Sequence, residues 1–224
     1  MEVYIMFEER KQQRFHDHGK IISRKLYNLV LGGTLLYGFA VNILLVILFQ
    51  NHYFNPFALL IGYTISCIFG VFLSAKSKNP WISFVGYNLI AAPIGLLLPQ
   101  TVPSFSDETI INAFMGAAII SAAFIILGVL LPNLFVRMGR TLFVSLLILV
   151  LVEFVMMLFG KYMVMFDYIG IAIFALYIGY DFAKSQAYPS TIDNAVDSAV
   201  DLYSDIIQIF LRLLSILERN SSDN

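Results

Sequence analysis

Apolar residues come along this chain in runs of about 20, separated by short polar stretches. That is the length an α-helix needs to cross the hydrocarbon core of a bilayer. In hydrocarbon the backbone must satisfy its own hydrogen bonds, so such runs are expected to be helical. Seven stand out: Leu26–Phe49, Pro56–Ala75, Trp81–Pro99, Ile110–Leu131, Thr141–Phe159, Val164–Phe182 and Ile192–Leu217. Breakers sit at or near the run ends: Asn55-Pro56, Asn79-Pro80, Pro103 and Pro132-Asn133. The pattern predicts an all-α membrane protein with a cytoplasmic arm over 1–25, a seven-helix transmembrane domain over 26–217 and a short polar tail over 218–224. Pro93 and Gly95 interrupt the third run. A break of this kind either marks a transport site or is a plain kink, and the kink is the simpler expectation.

Composition agrees. Of 224 residues 59% are apolar and 13% charged, against roughly a quarter charged in soluble domains. Net charge is −1, which favours neither nucleic acid nor a strongly acidic substrate. Cys67 is the one cysteine, which excludes an intrachain disulfide and a cysteine zinc site. The first 25 residues are polar, and no cleavable signal peptide is expected from them.

Charge placement sets the expected orientation. The arm carries Arg10, Lys11, Arg14, Lys20, Arg24 and Lys25; alternate loops add Lys76, Lys78, Arg137, Arg140 and Lys184, eleven in all. The opposite side has three, Lys161, Arg212 and Arg219. The bias puts the N-terminus in the cytoplasm. The arm reads mainly as an orientation signal, because Glu2, Glu8, Glu9 and Asp17 dilute its basic character.

Ionisable residues inside the apolar runs carry the functional interest, since a carboxylate at membrane depth costs roughly 2.5–3.5 kcal/mol on insertion scales. Glu153, Asp181, Asp201 and Asp205 qualify. In the last run Asp193, Asp197, Asp201 and Asp205 recur every four residues. Each step rises about 6 Å and turns about 40°, giving a slowly winding acidic ridge. The ridge must face protein or a water-filled cavity. Asp193 is expected to serve the helix N-terminus, Asp197 to be wet, and Asp167, near the outer end of the sixth run, to be a solvated interfacial group. Glu153 either lines an outer stretch of a path or bonds a neighbouring helix while protonated.

Two segments resemble a known family. Ala199-Val-Asp-Leu-Tyr203-Ser-Asp205-Ile-Ile-Gln-Ile-Phe210 is similar to the C-terminal signature of the Bax inhibitor-1 family, and Phe174-Ala-Leu-Tyr177-Ile-Gly-Tyr180-Asp181 resembles that family's Phe-x-x-Tyr-x-x-Tyr-Asp pattern. The resemblance implies a last helix that is central and wrapped by the other six. It also implies a pH-sensitive calcium leak in bacterial members, and cell-death suppression and calcium control in eukaryotic ones. The family's paired aspartates would correspond to Asp181 and Asp205, as pH sensor and gate and as transient calcium ligands. Asp201, Asp197, Glu153 and Lys76 are further candidates for an ion path or latch. Family members commonly carry arginine at the inner end of the second helix. Here that end has Lys76, a point charge where arginine would offer a fork. Two carboxylates in one site ionise in coupled steps. A shared proton ties their helices together, and full ionisation separates them or recruits a hard cation such as calcium. Helices meeting symmetrically about a Lys184–Thr191 turn would set Asp181 opposite Asp197 or Asp201. Pairing with Asp205 needs the sixth helix to run on past its boundary, or the seventh to start below it.

The expected function is therefore a pH-sensitive calcium leak channel. A proton- or cation-coupled secondary transporter and a non-conducting regulatory membrane protein are the alternatives. Expected partners are the lipid bilayer, calcium ions and protons, with no cofactor beyond calcium as the transported ion and no nucleic acid. Catalysis is not expected: His16, His18 and His52 lie outside the apolar runs, and Gly32-Gly33 lies within one rather than in a phosphate-cradling loop. The short chain suggests a bacterial cytoplasmic membrane.

Overall fold

A computed structural model describes residues 19–49, 52, 54–77, 79–101, 105–161 and 163–222, and every regular element among them is helical. The helices are α1 (Arg24–Phe49), α2 (Pro56–Lys76), α3 (Pro80–Thr101), α4 (Asp107–Leu130), α5 (Pro132–Arg137), α6 (Gly139–Leu158), α7 (Val164–Ala187) and α8 (Ile192–Ser222). Five stretches are long and apolar enough to cross a membrane: α1, α3 over Pro80–Leu98, α4, α6 and α7. In α2 the apolar stretch Ile61–Ser74 is shorter. Acidic residues keep α8 out of the strongly apolar class. The arm through residue 18, with Arg10, Lys11 and Arg14, lies outside the described residues, as do Lys78 and the side chain of Lys76.

The helices are amphipathic in the membrane sense. In α1 the buried residues are Tyr27, Leu31, Thr34, Gly38 and Asn42, whereas Leu29, Leu36, Ile43 and Ile47 are exposed. In α4 Thr109, Ala113, Ala117, Ser121 and Gly128 turn inward, and Ile111, Ile119, Ile126 and Leu130 turn outward. Small and polar residues inside let backbones approach closely where lipid removes the usual hydrophobic drive between helices.

Contacts divide the chain into two units. The first comprises α1–α3 with residues Ala187–Tyr203, and the second α4–α6, α7 up to Gln186, and α8 from Ser204 onward. In the first, α1 and α2 both pack on α3. A Cβ on Gly70 would lie 2.7 Å from the Gly86 carbonyl oxygen, and a Cβ on Gly86 2.7 Å from that of Gly70. Two glycines thus set the closest α2–α3 approach. The break in α3 is a satisfied kink. Pro93 has no N–H to offer the Leu89 carbonyl one turn earlier, and Ser66 of α2 donates to that carbonyl at 2.6 Å.

In the second unit Phe135, Leu142, Tyr177, Tyr180 and Ala183 form a buried cluster, with Phe124, Met138, Leu146, Ile173 and Leu176 packed on it. The Pro132-Asn133 breaker does not open a loop. It starts the short helix α5, because Pro at N1 loses only an N–H that would be unpaired anyway. At the end of α6 the chain reverses through Gly160, at φ 62°, a conformation glycine adopts without penalty.

Several boundaries differ from expectation, among them the end of α8, which runs past Leu217 through most of the expected polar tail to Ser222. Ser106 caps α4 by accepting from the Thr109 N–H at 3.1 Å, so that helix begins at Asp107. More consequential, α7 continues past Phe182 to Ala187, with Lys184 and Ser185 buried. The expected Lys184–Thr191 turn shrinks to Tyr188–Thr191. Within this extension the Lys184 ammonium sits 5.1 Å from the Tyr180 ring centre, a cation–π contact that offsets part of its desolvation.

Gly86→Ala is expected to destabilise the protein by about 1–3 kcal/mol through the forced backbone clash. Gly62→Ala, where nothing lies within 4 Å of the new methyl, is expected to leave stability unchanged. Denaturant unfolding in detergent measures both.

Candidate functional site

The acidic ridge lies on α8. Thr191 caps this helix, its Oγ1 accepting from the Asn194 N–H at 3.1 Å, so the cap does not depend on Asp193. Asp193 is 5% exposed and Asp197 3% exposed. Ser83 of α3 donates its hydroxyl to Asp193 Oδ1 at 2.7 Å. Ser74 of α2 donates to Asp197 Oδ1 at 2.5 Å. Asp197 is therefore not wet, and Asp193 does more than neutralise a helix end. Both are buried carboxylates held by serine hydroxyls, the arrangement burial of a charge requires. The two serines were missed because a serine in an apolar run carries no signal of where its hydroxyl points.

Tyrosines fix the rest of this end. The Tyr27 hydroxyl shares a hydrogen bond with Ser198 at 3.1 Å. Asn42 of α1 donates to the Tyr203 hydroxyl, and Tyr203 is fully buried. Asp201 is half-buried.

In the second unit, Asp205 is buried on α8 at 7% exposed, and Asp181 is half-buried on α7. Tyr177, one turn before Asp181, is itself buried and interacts electrostatically with both carboxylates.

Further along α8, Arg212 makes a two-pronged bond to Glu153 of α6, Nη1 to Oε1 at 2.7 Å and Nη2 to Oε2 at 3.1 Å. Its Nη1 also donates to the Phe166 carbonyl at 3.3 Å and lies 3.4 Å from Asp167 Oδ1. Asp167 is 7% exposed, so it is an ion-paired group and not a solvated interfacial one. Glu153 is held as an ion-pair partner, which removes the need for it to bond while protonated. Arg212, counted among the charges of the opposite side, lies within α8 with its side chain 11% exposed. The seven-residue spacing from Asp205 to Arg212, which places both on nearly the same helix face, was the available signal.

Among the described residues no three His, Cys, Asp or Glu side chains stand together as a metal cage.

With this geometry in view, the comparisons with known proteins are decisive on kinship. The profile of the family described as "Inhibitor of apoptosis-promoting Bax1" matches residues 19–222. The chain belongs to the Bax inhibitor-1 family. An uncharacterized protein of Helicobacter pylori is similar at 26% identity over 158 residues, covering 68% of this chain and 67% of the relative. The Bax inhibitor 1 of Oryza sativa subsp. japonica is similar at 27% identity over 166 residues, covering 71% of this chain and 66% of the relative. The matches span about two thirds of each relative's length. The matched range includes both segments that resemble the family's signatures, and these fall in α7 and α8. Membership and the apolar helices together make this an integral membrane protein.

Ser74→Ala and Ser83→Ala each strip a buried carboxylate of a hydroxyl donor. Each is expected to cost about 1.5–3 kcal/mol, the usual worth of a hydrogen bond to a charged group. Unfolding of the single variants in detergent checks this, and a change below about 0.5 kcal/mol would show that these hydroxyls do not hold the ridge.

Proposed function

We propose that this Bax inhibitor-1 family member is a pH-sensitive calcium leak channel whose gate is a proton-sharing pair, Asp181 of α7 and Asp205 of α8. The observation that carries this reading is the shared neighbour. One buried tyrosine, Tyr177, interacts with both carboxylates, so two acids far apart in sequence act on the same small region.

The register supports the pairing. Tyr177 interacts with Asp205, while Arg212, further along α8, reaches Phe174 and Gly170, earlier along α7. Positions that rise along one helix as they fall along the other define an antiparallel pair. The guanidinium of Arg212 lies 5.6 Å from the Phe174 ring centre. Seven residues, about two turns, back along α8 leads to Asp205. Seven forward along α7 leads to Asp181. The extension of α7 to Ala187 lengthens that helix toward this register, in which the first turns of α8 run beyond the end of α7.

The chemistry follows from proximity. With one proton shared, a short carboxyl–carboxylate hydrogen bond ties α7 to α8. With both groups ionised, repulsion loosens the helices and leaves two hard oxygen donors for a passing calcium ion. Protonation therefore closes the tie and removes ligand charge together. Asp201, Asp197 and Lys76 remain, in this reading, candidates for an ion path or latch. The protein crosses the membrane seven times with α8 central and wrapped by the other spans. Its N-terminus is cytoplasmic, in a bacterial cytoplasmic membrane, and its partners are lipid, protons and calcium.

Calcium release from proteoliposomes between about pH 5 and pH 8 tests the gate. Wild type is expected to show flux that changes severalfold across this range without any added solute. Asp181→Asn and Asp205→Asn are expected to abolish most of that change. Variants that keep the wild-type pH profile would overturn the pair as sensor, and saturable flux dependent on a second solute would replace the leak with a coupled transporter.

A further inference from the structure

The most elaborate polar assembly in the second unit is the setting of Arg212. Glu153 from α6 grips the guanidinium at both prongs, and the Phe166 carbonyl and Asp167 from α7 approach Nη1. The guanidinium carbon lies 5.6 Å from the Phe174 ring centre. Space for it exists because α7 has a glycine there: a Cβ on Gly170 would fall 2.4 Å from Arg212 Nε and Cζ. Asp167, Gly170 and Phe174 follow one another on α7 about one helical turn apart, with the Phe166 carbonyl beside them, so one stripe of that helix forms one wall of the socket. Continued by Tyr177 and Asp181, the same stripe leads to the proposed gate.

The charges around the socket are accounted for by residues on α6, α7 and α8. Asp167 interacts with Arg212, Glu153 and Arg219, and accepts from Ser215. Two acids meet two bases, with Arg212 the most enclosed of the cations and fixed in a planar fork. Guanidinium stays charged at any physiological pH, so this fastening keeps its cation while the carboxylates of the gate gain or lose protons.

We infer that Arg212 is a positioning residue for the Asp181–Asp205 pair: its socket on Glu153, Asp167 and Gly170 locks the α7–α8 register at which the two aspartates meet. The inference rests on the pairing proposed above. Sliding α8 by one turn, about 5.4 Å, would carry Arg212 off Phe174 and carry Asp205 off Asp181 by the same amount. A tie made of one shared proton cannot prevent such a slide once that proton leaves. The socket can, and it makes the gate reversible: helices that separate locally at the pair remain anchored two turns away. Glu153 and Asp167 thereby become supports of the gate, not stations on the ion path.

Disulfide trapping in the full-length protein separates the possibilities. In a Cys67→Ser background, Asp181→Cys combined with Asp205→Cys is expected to form a disulfide on mild oxidation in membranes. Adding Arg212→Gln is expected to slow its formation at least about fivefold. Glu153→Gln, which leaves the arginine and its α7 contacts in place, is expected to slow it by a smaller factor, and Gly170→Val, which fills the socket, as much as Arg212→Gln does. In the chain retaining both aspartates, Arg212→Gln is expected to flatten the pH profile of calcium release, a change that simple loss of stability would not produce in correctly inserted, monodisperse protein. Equal trapping with and without Arg212 overturns the positioning role and leaves the pair standing. No trapping even with Arg212 intact overturns the pair, and the positioning role with it. If Arg212→Gln does not accumulate in membranes, Glu153→Gln and Gly170→Val decide alone: unchanged trapping in both overturns the role.

Discussion

Burying an acidic helix in a membrane protein is the constraint on which the rest of this molecule turns. The last helix carries Asp193, Asp197, Asp201 and Asp205 before its first basic residue, Arg212. Hydrocarbon would reject each of these acids, and protein of low dielectric would reject them almost as firmly unless partners compensate. The surrounding helices supply those partners by different chemistry at each level. Serine hydroxyls from α2 and α3 meet Asp197 and Asp193, Tyr177 feels the charge of Asp181 and Asp205, and Arg212 is itself clasped by Glu153. The change of partner along α8 follows from its geometry. Steps of four drift about 40°, so the ridge turns by about 120° between Asp193 and Asp205 and cannot be served by one neighbouring helix.

The same constraint explains why α1 and α4 look plain. Their large apolar residues face outward, where lipid satisfies them without specificity, while glycine, serine, alanine and asparagine line the inner faces. Some of the polar groups inside have a defined job. Ser66 repairs the carbonyl left open by Pro93, and Asn42 holds Tyr203. A proline kink, a polar core and a close glycine crossing between α2 and α3 can coexist because no bulky side chain competes for that space.

Much of this was legible in the order of residues, and the gaps have physical causes. Run lengths located the membrane helices because the hydrocarbon thickness is a fixed ruler, and the four-residue spacing of aspartates located the ridge. The ruler worked least well where charge interrupts apolar sequence. The end of α7 was placed at Phe182 because Lys184 looked like a loop residue, yet a lysine lying over Tyr180 continues the helix. Asp167 and Asp197 were assigned to water for a related reason. Sequence shows a charge and its neighbours along the chain, but the Arg212 and Ser74 that remove the cost of burying them are 45 and 123 residues away.

Those long separations also bear on how a proton-operated tie can be reversible. A pair of carboxylates is attractive with one proton and repulsive with none, so it has two states separated by a single small ligand. Such an element switches usefully only if everything beside it stays put. A guanidinium gripped at both prongs is the opposite kind of interaction: planar, directional and always charged. In the proposed gate the guanidinium lies about two turns from the pair along α8, so that holding falls to one level of the helix pair and switching to another. If the two roles shared one level, each protonation event would put the register itself at risk, and the helices would have to find it again at every closure.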